Sequence, residues 1–134
     1  MIREVKGFSL MELMIVVVLI GILSASGILF FGDRAEQARI EAAEVSTSSI
    51  RLLQQEYKSN NGIYYYTSGG CSSNTTNQII SELFDGSKEL AEKDFYYCIS
   101  GNQNSDTFKI TAKRITSNCQ VMRDEKNNIT DSNC

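Results

Sequence analysis

The sequence predicts an α+β fold, in which a long N-terminal α-helix packs on a small antiparallel β-sheet that is closed by two disulfides. Three observations support this fold class. Residues 8–31 form an apolar run with a single charge, Glu12. Helical spacing then continues through polar sequence to about Ser59, and apolar and polar residues alternate near the C-terminus, as they do in strands. The length of 134 residues suits one domain.

The apolar run is long enough to cross a membrane. Its 24 residues would form a helix of about 36 Å, which exceeds the hydrocarbon core of a bilayer. A carboxylate in such a span costs roughly 2.5–3.5 kcal/mol at the centre and less near an end. We therefore expect Glu12 to have a specific partner. The alternative is that its side chain extends to the membrane interface and contacts nothing.

The helix is predicted to continue past the apolar run and to end at Asn60-Asn61-Gly62, because Asn and Gly tolerate the left-handed conformation that ends helices. Small and apolar residues recur at intervals of three or four in its second half and predict the face that packs under the sheet. These residues are Ala35, Ala38, Ala42, Val45, Ser49, Leu53 and Tyr57.

Turn-forming residues from Thr67 to Thr76 predict a linker loop between the helix and the sheet. A short helix is predicted from Asn77 to Phe84, and one more turn from Ser87 to Lys93. The strand pattern predicts a three-stranded antiparallel meander. Its strands are Phe95–Ser100, Thr107–Lys113 and Cys119–Arg123.

Four cysteines, none in a Cys-x-x-Cys spacing, predict two disulfides. Three pairings exist for Cys71, Cys98, Cys119 and Cys134. The sequence separations favour Cys71 with Cys98 and Cys119 with Cys134. Redox catalysis lacks both the motif and a neighbouring basic group that would activate a thiol.

The composition points away from acid–base and metal chemistry. The chain has no His and no Trp, and its carboxylates, serines and lysines form no catalytic pattern. We therefore expect no enzymatic activity, no cofactor and no metal. The net charge of −3 argues against a general polyanion binder.

Two weaker patterns have structural explanations. A basic strip for DNA is conceivable, but charges on the exposed face of a sheet explain the same residues. A calcium loop is conceivable near the C-terminus, but its spacing is incomplete and a solvated turn explains it. The basic residues are Lys109, Lys113, Arg114 and Arg123, and the oxygen ligands would come from Asp124, Asn127, Asn128 and Asp131.

The N-terminal segment resembles a known family. Gly7 followed by Phe8-Ser9-Leu10-Met11-Glu12-Leu13-Met14-Ile15-Val16-Val17-Val18-Leu19-Ile20-Gly21-Ile22-Leu23 closely resembles the leader and first helix of type IV prepilins and pseudopilins. This specific motif covers about the first quarter of the chain. The remainder is similar to pilin heads in layout only. One departure is Leu29, where the family usually has the Pro that kinks this helix.

The resemblance implies a role for each of three residues. A prepilin peptidase on the cytoplasmic side would cut between Gly7 and Phe8 and methylate the new amine of Phe8. Loss of the leader would remove two cations and one carboxylate and change the net charge from −3 to −4. Glu12 would then neutralise the amine of a neighbouring subunit. The chain would divide into a leader (1–7), a helix (8–59, with 8–31 in the membrane and later in the filament core) and a head (60–134).

The implied function is that of a major or minor pilin in a type IV pilus, with roles in adhesion, twitching motility or DNA uptake. Its partners would be the filament, the prepilin peptidase and the inner-membrane assembly machinery. Before assembly it would cross the inner membrane once with its N-terminus in the cytoplasm, and afterwards it would be extracellular.

Three alternatives stay open at this point. The first is a pseudopilin of a type II secretion system; the major members of that group resemble one another in a calcium loop and a Trp-Gly-rich stretch, which this chain lacks. The second is an ordinary secreted protein cut in the stretch Ser24-Ala25-Ser26-Gly27. The third is an enzyme or binding domain that uses the helix only as an anchor.

Overall fold

The computed structural model describes residues 4, 6–86, 90 and 93–134. The chain divides into two compact units, residues 1–37 and 38–134, and each is described by itself. The predicted α+β class with a long N-terminal helix and an antiparallel sheet is confirmed. The elements are α1 (Leu10–Asn61), α2 (Ser73–Leu83), β1 (Phe95–Asn102), β2 (Thr107–Arg114), β3 (Gln120–Asp124) and β4 (Ile129–Ser132). Most of the turn predicted from Ser87 to Lys93 lies outside the described residues.

The first unit exposes its apolar side chains. Every large apolar residue from Phe8 to Phe31 is more than half exposed. By length and composition this part of α1 could cross a membrane, and none of it is buried. The hydroxyls of Ser24 and Ser26 donate to carbonyl oxygens of the preceding turn, to Ile20 at 2.7 Å and to Leu23 at 3.0 Å. The polar atoms of these serines are therefore satisfied within the helix.

In the second unit, α1 buries a different face from the predicted one. Its fully covered residues are Ala43, Thr47, Ile50 and Gln54. The prediction was wrong for the first part of the predicted face, because Ala38, Ala42 and Val45 are exposed, while Leu53 and Tyr57 do pack against the core. The buried face contains two polar residues whose hydrogen bonds are satisfied inside the protein, and an apolar pattern does not reveal such residues.

The sheet is an antiparallel meander in the order β1-β2-β3-β4. In its register Ile99 lies opposite Ile110, and Ile110 lies opposite Arg123. Alternate residues of β1, β2 and β3 face the core together with residues of α1 and α2. The buried residues of the three strands are Phe95, Tyr97, Ile99, Phe108, Ile110, Ala112, Val121 and Arg123.

The three predicted strands are confirmed, and β4 pairs with β3 as a fourth strand that was not predicted. This strand has one large apolar residue, Ile129, and none of its residues is buried. Because β4 has no alternating apolar pattern, its sequence does not predict a strand. Pairing with β3 and the nearby disulfide hold it in the sheet.

Helix α2 begins four residues earlier than predicted, inside the predicted loop. Ser72 and Thr75 form a capping box, in which each side chain bonds to the backbone N–H of the other residue. Ser72 thus fixes the helix start, although Asn and Thr in the first turn are poor helix formers.

Threonine side chains cover the outer edge of β1. The Thr76 hydroxyl oxygen accepts from the Tyr97 N–H at 2.9 Å, and the Thr75 hydroxyl donates to the Tyr97 carbonyl at 2.7 Å. Thr67 likewise bonds both backbone groups of Ile99. Its hydroxyl accepts from the Ile99 N–H at 2.9 Å, and its backbone N–H donates to the Ile99 carbonyl at 2.9 Å. The edge of β1 therefore has satisfied backbone groups at both residues.

The structure contains two disulfides, Cys71–Cys98 and Cys119–Cys134. These are the pairs that the sequence separations favour. The first joins the linker to β1, and the second connects the start of β3 to the C-terminus. In the chain-entropy model, loops of this size contribute roughly 3 kcal/mol each to the free energy of unfolding.

Candidate processing and assembly site

The residues implicated by the leader motif lie just before α1 and in its first turn. Lys6, Gly7 and Phe8 have no regular secondary structure and are exposed. Together with Glu12 they line a shallow surface pocket. A Cβ atom built on Gly7 would meet nothing within 4 Å, so the fold of the described chain does not require glycine there.

Ser9 and Glu12 form a capping box at the start of α1. The Ser9 hydroxyl oxygen accepts from the Glu12 N–H at 3.2 Å, and Glu12 Oε2 accepts from the Ser9 N–H at 3.2 Å. The first backbone bond of the helix joins the Leu13 N–H to the Ser9 carbonyl at 3.2 Å. This pair was not predicted, although the spacing Ser-x-x-Glu before an apolar run is its sequence signal.

The Glu12 carboxylate forms no ion pair with a described residue, although the Lys6 side chain lines the same pocket. Its Oε1 makes no hydrogen bond to a described residue. The capping bond satisfies one oxygen and the partial positive charge of the helix start favours the carboxylate.

Residues 2–28 match the family model of the prokaryotic N-terminal methylation motif. The chain carries this methylation motif. The motif is typical of type IV pilins and pseudopilins, which confirms the resemblance seen in the sequence. The motif supports a pilin-like or pseudopilin precursor, and it implies processing by a prepilin peptidase and assembly into a filament. No curated protein and no solved structure matches the chain.

The methylation motif and the exposed apolar helix together fit anchoring in a membrane before assembly. A structural, pilin-like protein is the class that the motif indicates.

The four basic residues considered for DNA do not form one surface. Lys109 and Lys113 are exposed on one face of β2. Arg123 lies opposite Ile110 on the other face and is 6% exposed. The basic strip suggested by the sequence is therefore divided between the two faces of the sheet.

Arg123 instead joins the sheet to the helix. Its Nε donates to the Thr47 hydroxyl at 3.1 Å, and its guanidinium also donates to the Glu44 carbonyl oxygen at 3.1 Å. A third bond goes to the side-chain oxygen of Asn127 in the β3–β4 turn. The same turn is bound by Arg51, which donates twice to the Glu125 carbonyl at 3.2 Å. These two arginines attach the turn to α1.

The oxygen atoms considered for calcium have bonds within the β3–β4 turn. Asp124 Oδ1 accepts from the backbone N–H of Asn128 at 2.8 Å and of Lys126 at 3.0 Å, and Oδ2 accepts from the Asn128 side chain at 2.9 Å. These bonds, led by that of the Asn128 side chain, lower the pKa of Asp124. The described residues contain no group of three His, Cys, Asp or Glu arranged to hold a metal. The arrangement is that of a turn stabilised by its own carboxylate.

Proposed function

We propose that this chain is a structural subunit of a type IV pilus. Residues 1–7 are its leader, residues 8–59 are the helix through which it polymerises, and residues 60–134 are its head. The observation that carries the proposal is the exposed apolar run with Glu12 near its start, inside a methylation motif.

The proposed cleavage lies between Gly7 and Phe8. The bond is exposed and precedes the first helical residue, so a protease can reach it in an extended conformation. Since the surroundings of Gly7 leave room for a side chain, the glycine serves recognition by the prepilin peptidase, not the fold. Cleavage creates an amine on Phe8 that stays cationic after methylation.

Glu12 is proposed to pair with that amine on a neighbouring subunit. Two unit charges about 4 Å apart attract by about 4 kcal/mol at an effective dielectric constant of about 20. Moving an apolar helix from lipid into a bundle of like helices gains little, because lipid tails are as apolar as the side chains. The charge pair and the assembly machinery therefore select the assembled state, and the apolar contacts hold it.

The proposed location is the inner membrane before assembly, with the N-terminus in the cytoplasm, and the extracellular fibre afterwards. Roles in adhesion, twitching motility or DNA uptake belong to the same proposal. Binding of DNA has the weakest support, because the candidate basic residues lie on both faces of the sheet.

The second candidate function is a pseudopilin of a type II secretion system, which the same methylation motif supports. The two functions differ in what loss of the chain abolishes. Loss of surface fibres with normal protein secretion supports the pilus, and loss of secretion supports the pseudopilin.

The deciding experiment is electron microscopy of surface fibres sheared from cells that express the chain with its machinery, followed by mass spectrometry of the N-terminal peptide. We expect fibres whose subunits begin with N-methylated Phe8. A product that begins near Ala25 or Gly27 would show an ordinary signal peptide and contradict the proposal.

A further inference from the structure

We propose that the head binds the terminal pyranose of a glycan in a hollow between α2 and β1. The hollow has a volume of about 210 Å³ and is lined by Ser73, Thr76, Asn77 and Tyr96. This inference goes beyond the proposed pilus, because a single head can bind a sugar without a filament. It also gives the proposed role in adhesion a ligand class.

The secondary structure brings three free polar groups to this hollow. Ser73 and Asn77 lie four residues apart on α2, so they share one side of the helix. Tyr96 alternates with the buried Tyr97 and therefore lies on the outer face of β1. The Ser73 hydroxyl, the Asn77 amide and the Tyr96 hydroxyl make no hydrogen bond to a described residue. All three groups are therefore available to a ligand.

The fourth lining residue, Thr76, joins the two walls of the hollow. Its hydroxyl donates to the Ser72 carbonyl at 2.8 Å and accepts from the Tyr97 N–H at 2.9 Å. The Thr75 hydroxyl adds a bond to the Tyr97 carbonyl at 2.7 Å. These bonds fix α2 against β1 directly beside Tyr96. The hollow is therefore formed before a ligand arrives, and binding needs little ordering of the protein.

The chemistry of the lining favours a sugar. None of the described residues that line the hollow is charged, so a charged ligand finds no counter-charge among them. A purely apolar ligand would leave an amide and two hydroxyls without partners. A pyranose carries hydroxyls around its edge, and these can donate to and accept from the amide and the protein hydroxyls. Its face of C–H groups can pack on the Tyr96 ring, whose own face is electron-rich.

The size of the hollow limits the ligand to one ring. Sites for drug-sized ligands have volumes of about 300–1,000 Å³, and this hollow is smaller than that range. For one sugar ring with a few polar contacts we expect a dissociation constant of about 1 mM. In the proposed fibre many heads would bind a glycan-covered surface together, and multivalency would raise the overall affinity.

The test is a titration of the full-length chain with methyl glycosides in a detergent that has no sugar headgroup, followed by NMR chemical shifts of the protein. The panel contains neutral hexosides, N-acetylhexosaminides and hexuronides. We expect at least one uncharged glycoside to bind saturably. The corresponding free reducing sugars are titrated in parallel, and a site for the terminal residue of a glycan should bind the glycoside at least as tightly.

Three variants locate the site. Tyr96→Val removes the ring and keeps a good strand former, and it should weaken binding by about tenfold or more. Asn77→Ala removes the amide and favours the helix, and it should weaken binding about threefold to tenfold. Asn74→Ala is the matched control, because Asn74 is exposed on the same helix but does not line the hollow. Binding by this control should be unchanged, and unfolding midpoints would verify that each variant is folded.

Several outcomes would overturn the inference. Absence of saturable binding at tens of millimolar glycoside would remove the site. Equal effects of Asn74→Ala and Asn77→Ala would place the binding elsewhere on the head. Tighter binding of blocked dipeptides than of any glycoside would assign the hollow to peptide groups, and binding of free sugars alone would exclude a glycan. These results leave the proposed pilus intact, whereas absence of methylated fibres would refute the pilus and leave sugar binding intact.

Discussion

The side-chain amide of Gln54 pairs with the backbone of Tyr65 as a second peptide group would. Nε2 donates to the Tyr65 carbonyl at 2.7 Å, and Oε1 accepts from the Tyr65 N–H at 2.9 Å. Gln54 is fully buried on α1, whereas Tyr65 lies in the segment that follows the helix. This pair fixes the start of the linker against the helix.

Replacing Gln54 by Met should destabilise the protein by about 2 kcal/mol, because the partly buried N–H and carbonyl oxygen of Tyr65 lose their partners at similar side-chain volume. The measurement is urea unfolding of the full-length chain in detergent. Gln55→Met is the matched control, since Gln55 is exposed and its replacement should change stability by less than about 0.5 kcal/mol. Equal effects of the two variants would contradict the role of the pair.

Replacing Gly101 by Ala should destabilise the β1–β2 connection. The added Cβ would collide with the Thr107 carbonyl oxygen and the Tyr66 ring, and would lie 2.9 Å from Phe108 Cα. We expect a loss of about 2–3 kcal/mol, as for other forced overpacking, measured by the same unfolding experiment. Gly70→Ala is the control, because nothing lies within 4 Å of a Cβ built there. A stable Gly101→Ala protein would show that the strand connection can shift.

Replacing Arg123 by Met should cost about 3 kcal/mol, because it removes three bonds that join the sheet, the helix and the β3–β4 turn. Arg123→Lys should recover little, since one ammonium cannot reproduce the planar set of donors. Lys113→Met, on the exposed face of β2, is the control and should be nearly neutral. The thermal unfolding midpoint would report all three variants, and full rescue by lysine would refute the geometric argument.

Replacing Glu12 by Val should leave cleavage and membrane insertion unchanged and lower incorporation into fibres by at least about tenfold, because the Phe8 amine of a neighbour loses its counter-charge. Immunoblots of processed protein and of sheared fibres would measure the two steps separately. Glu41→Val removes an exposed carboxylate from the same helix outside the apolar run, and should assemble normally. Normal fibre yield from Glu12→Val would discredit the pairing.

The buried phenol of Tyr97 is expected to make the folded protein less stable at high pH. Burial raises the pKa of its phenol above the ordinary value of 10.0, and interaction with the Ser46 hydroxyl only partly offsets the effect. The hydroxyl oxygen is fully buried and makes no hydrogen bond of normal geometry to a described residue. Folding therefore favours the neutral phenol. The resulting stability is fully present below pH 10 and is lost as the pH rises through the raised pKa.

Tyr97→Phe should accordingly reduce the loss of stability above pH 10, and should be neutral or slightly stabilising at pH 7 because no bonded partner is left unpaired. Unfolding midpoints between pH 7 and about pH 11 would show this. Tyr96→Phe, on the other face of β1, is the control and should keep the wild-type profile. An unchanged profile for Tyr97→Phe would contradict the assignment.

The sequence predicts what depends on composition and spacing. The apolar run, the leader motif, the strands β1 to β3 and the two cysteine pairs follow from such patterns. The buried face of α1 does not, because Thr47 and Gln54 are polar and become buried only when Arg123 and the Tyr65 backbone bond to them. The short strand β4 does not follow either, since pairing with β3 defines it and its own residues carry no pattern.

The residues proposed for processing and assembly come from the motif, and their roles stay a prediction. Gly7, Phe8 and Glu12 are recognisable from the motif, whereas the bonds between Ser9 and Glu12 needed the structure. The Ser-x-x-Glu spacing is a capping signal, but it lies at the start of an apolar run, where the sequence predicts a membrane span and not a helix cap.

The threonine bonds along β1 affect how the heads of many copies behave when they lie close together. In the proposed filament many heads would lie close together, and an unpaired strand edge could then pair with the sheet of a neighbouring head. Hydroxyl groups of Thr67, Thr75 and Thr76 already occupy that margin at Tyr97 and Ile99. This side of the head is therefore protected against edge-to-edge pairing, and in the proposed filament contact between subunits would be left to the helices.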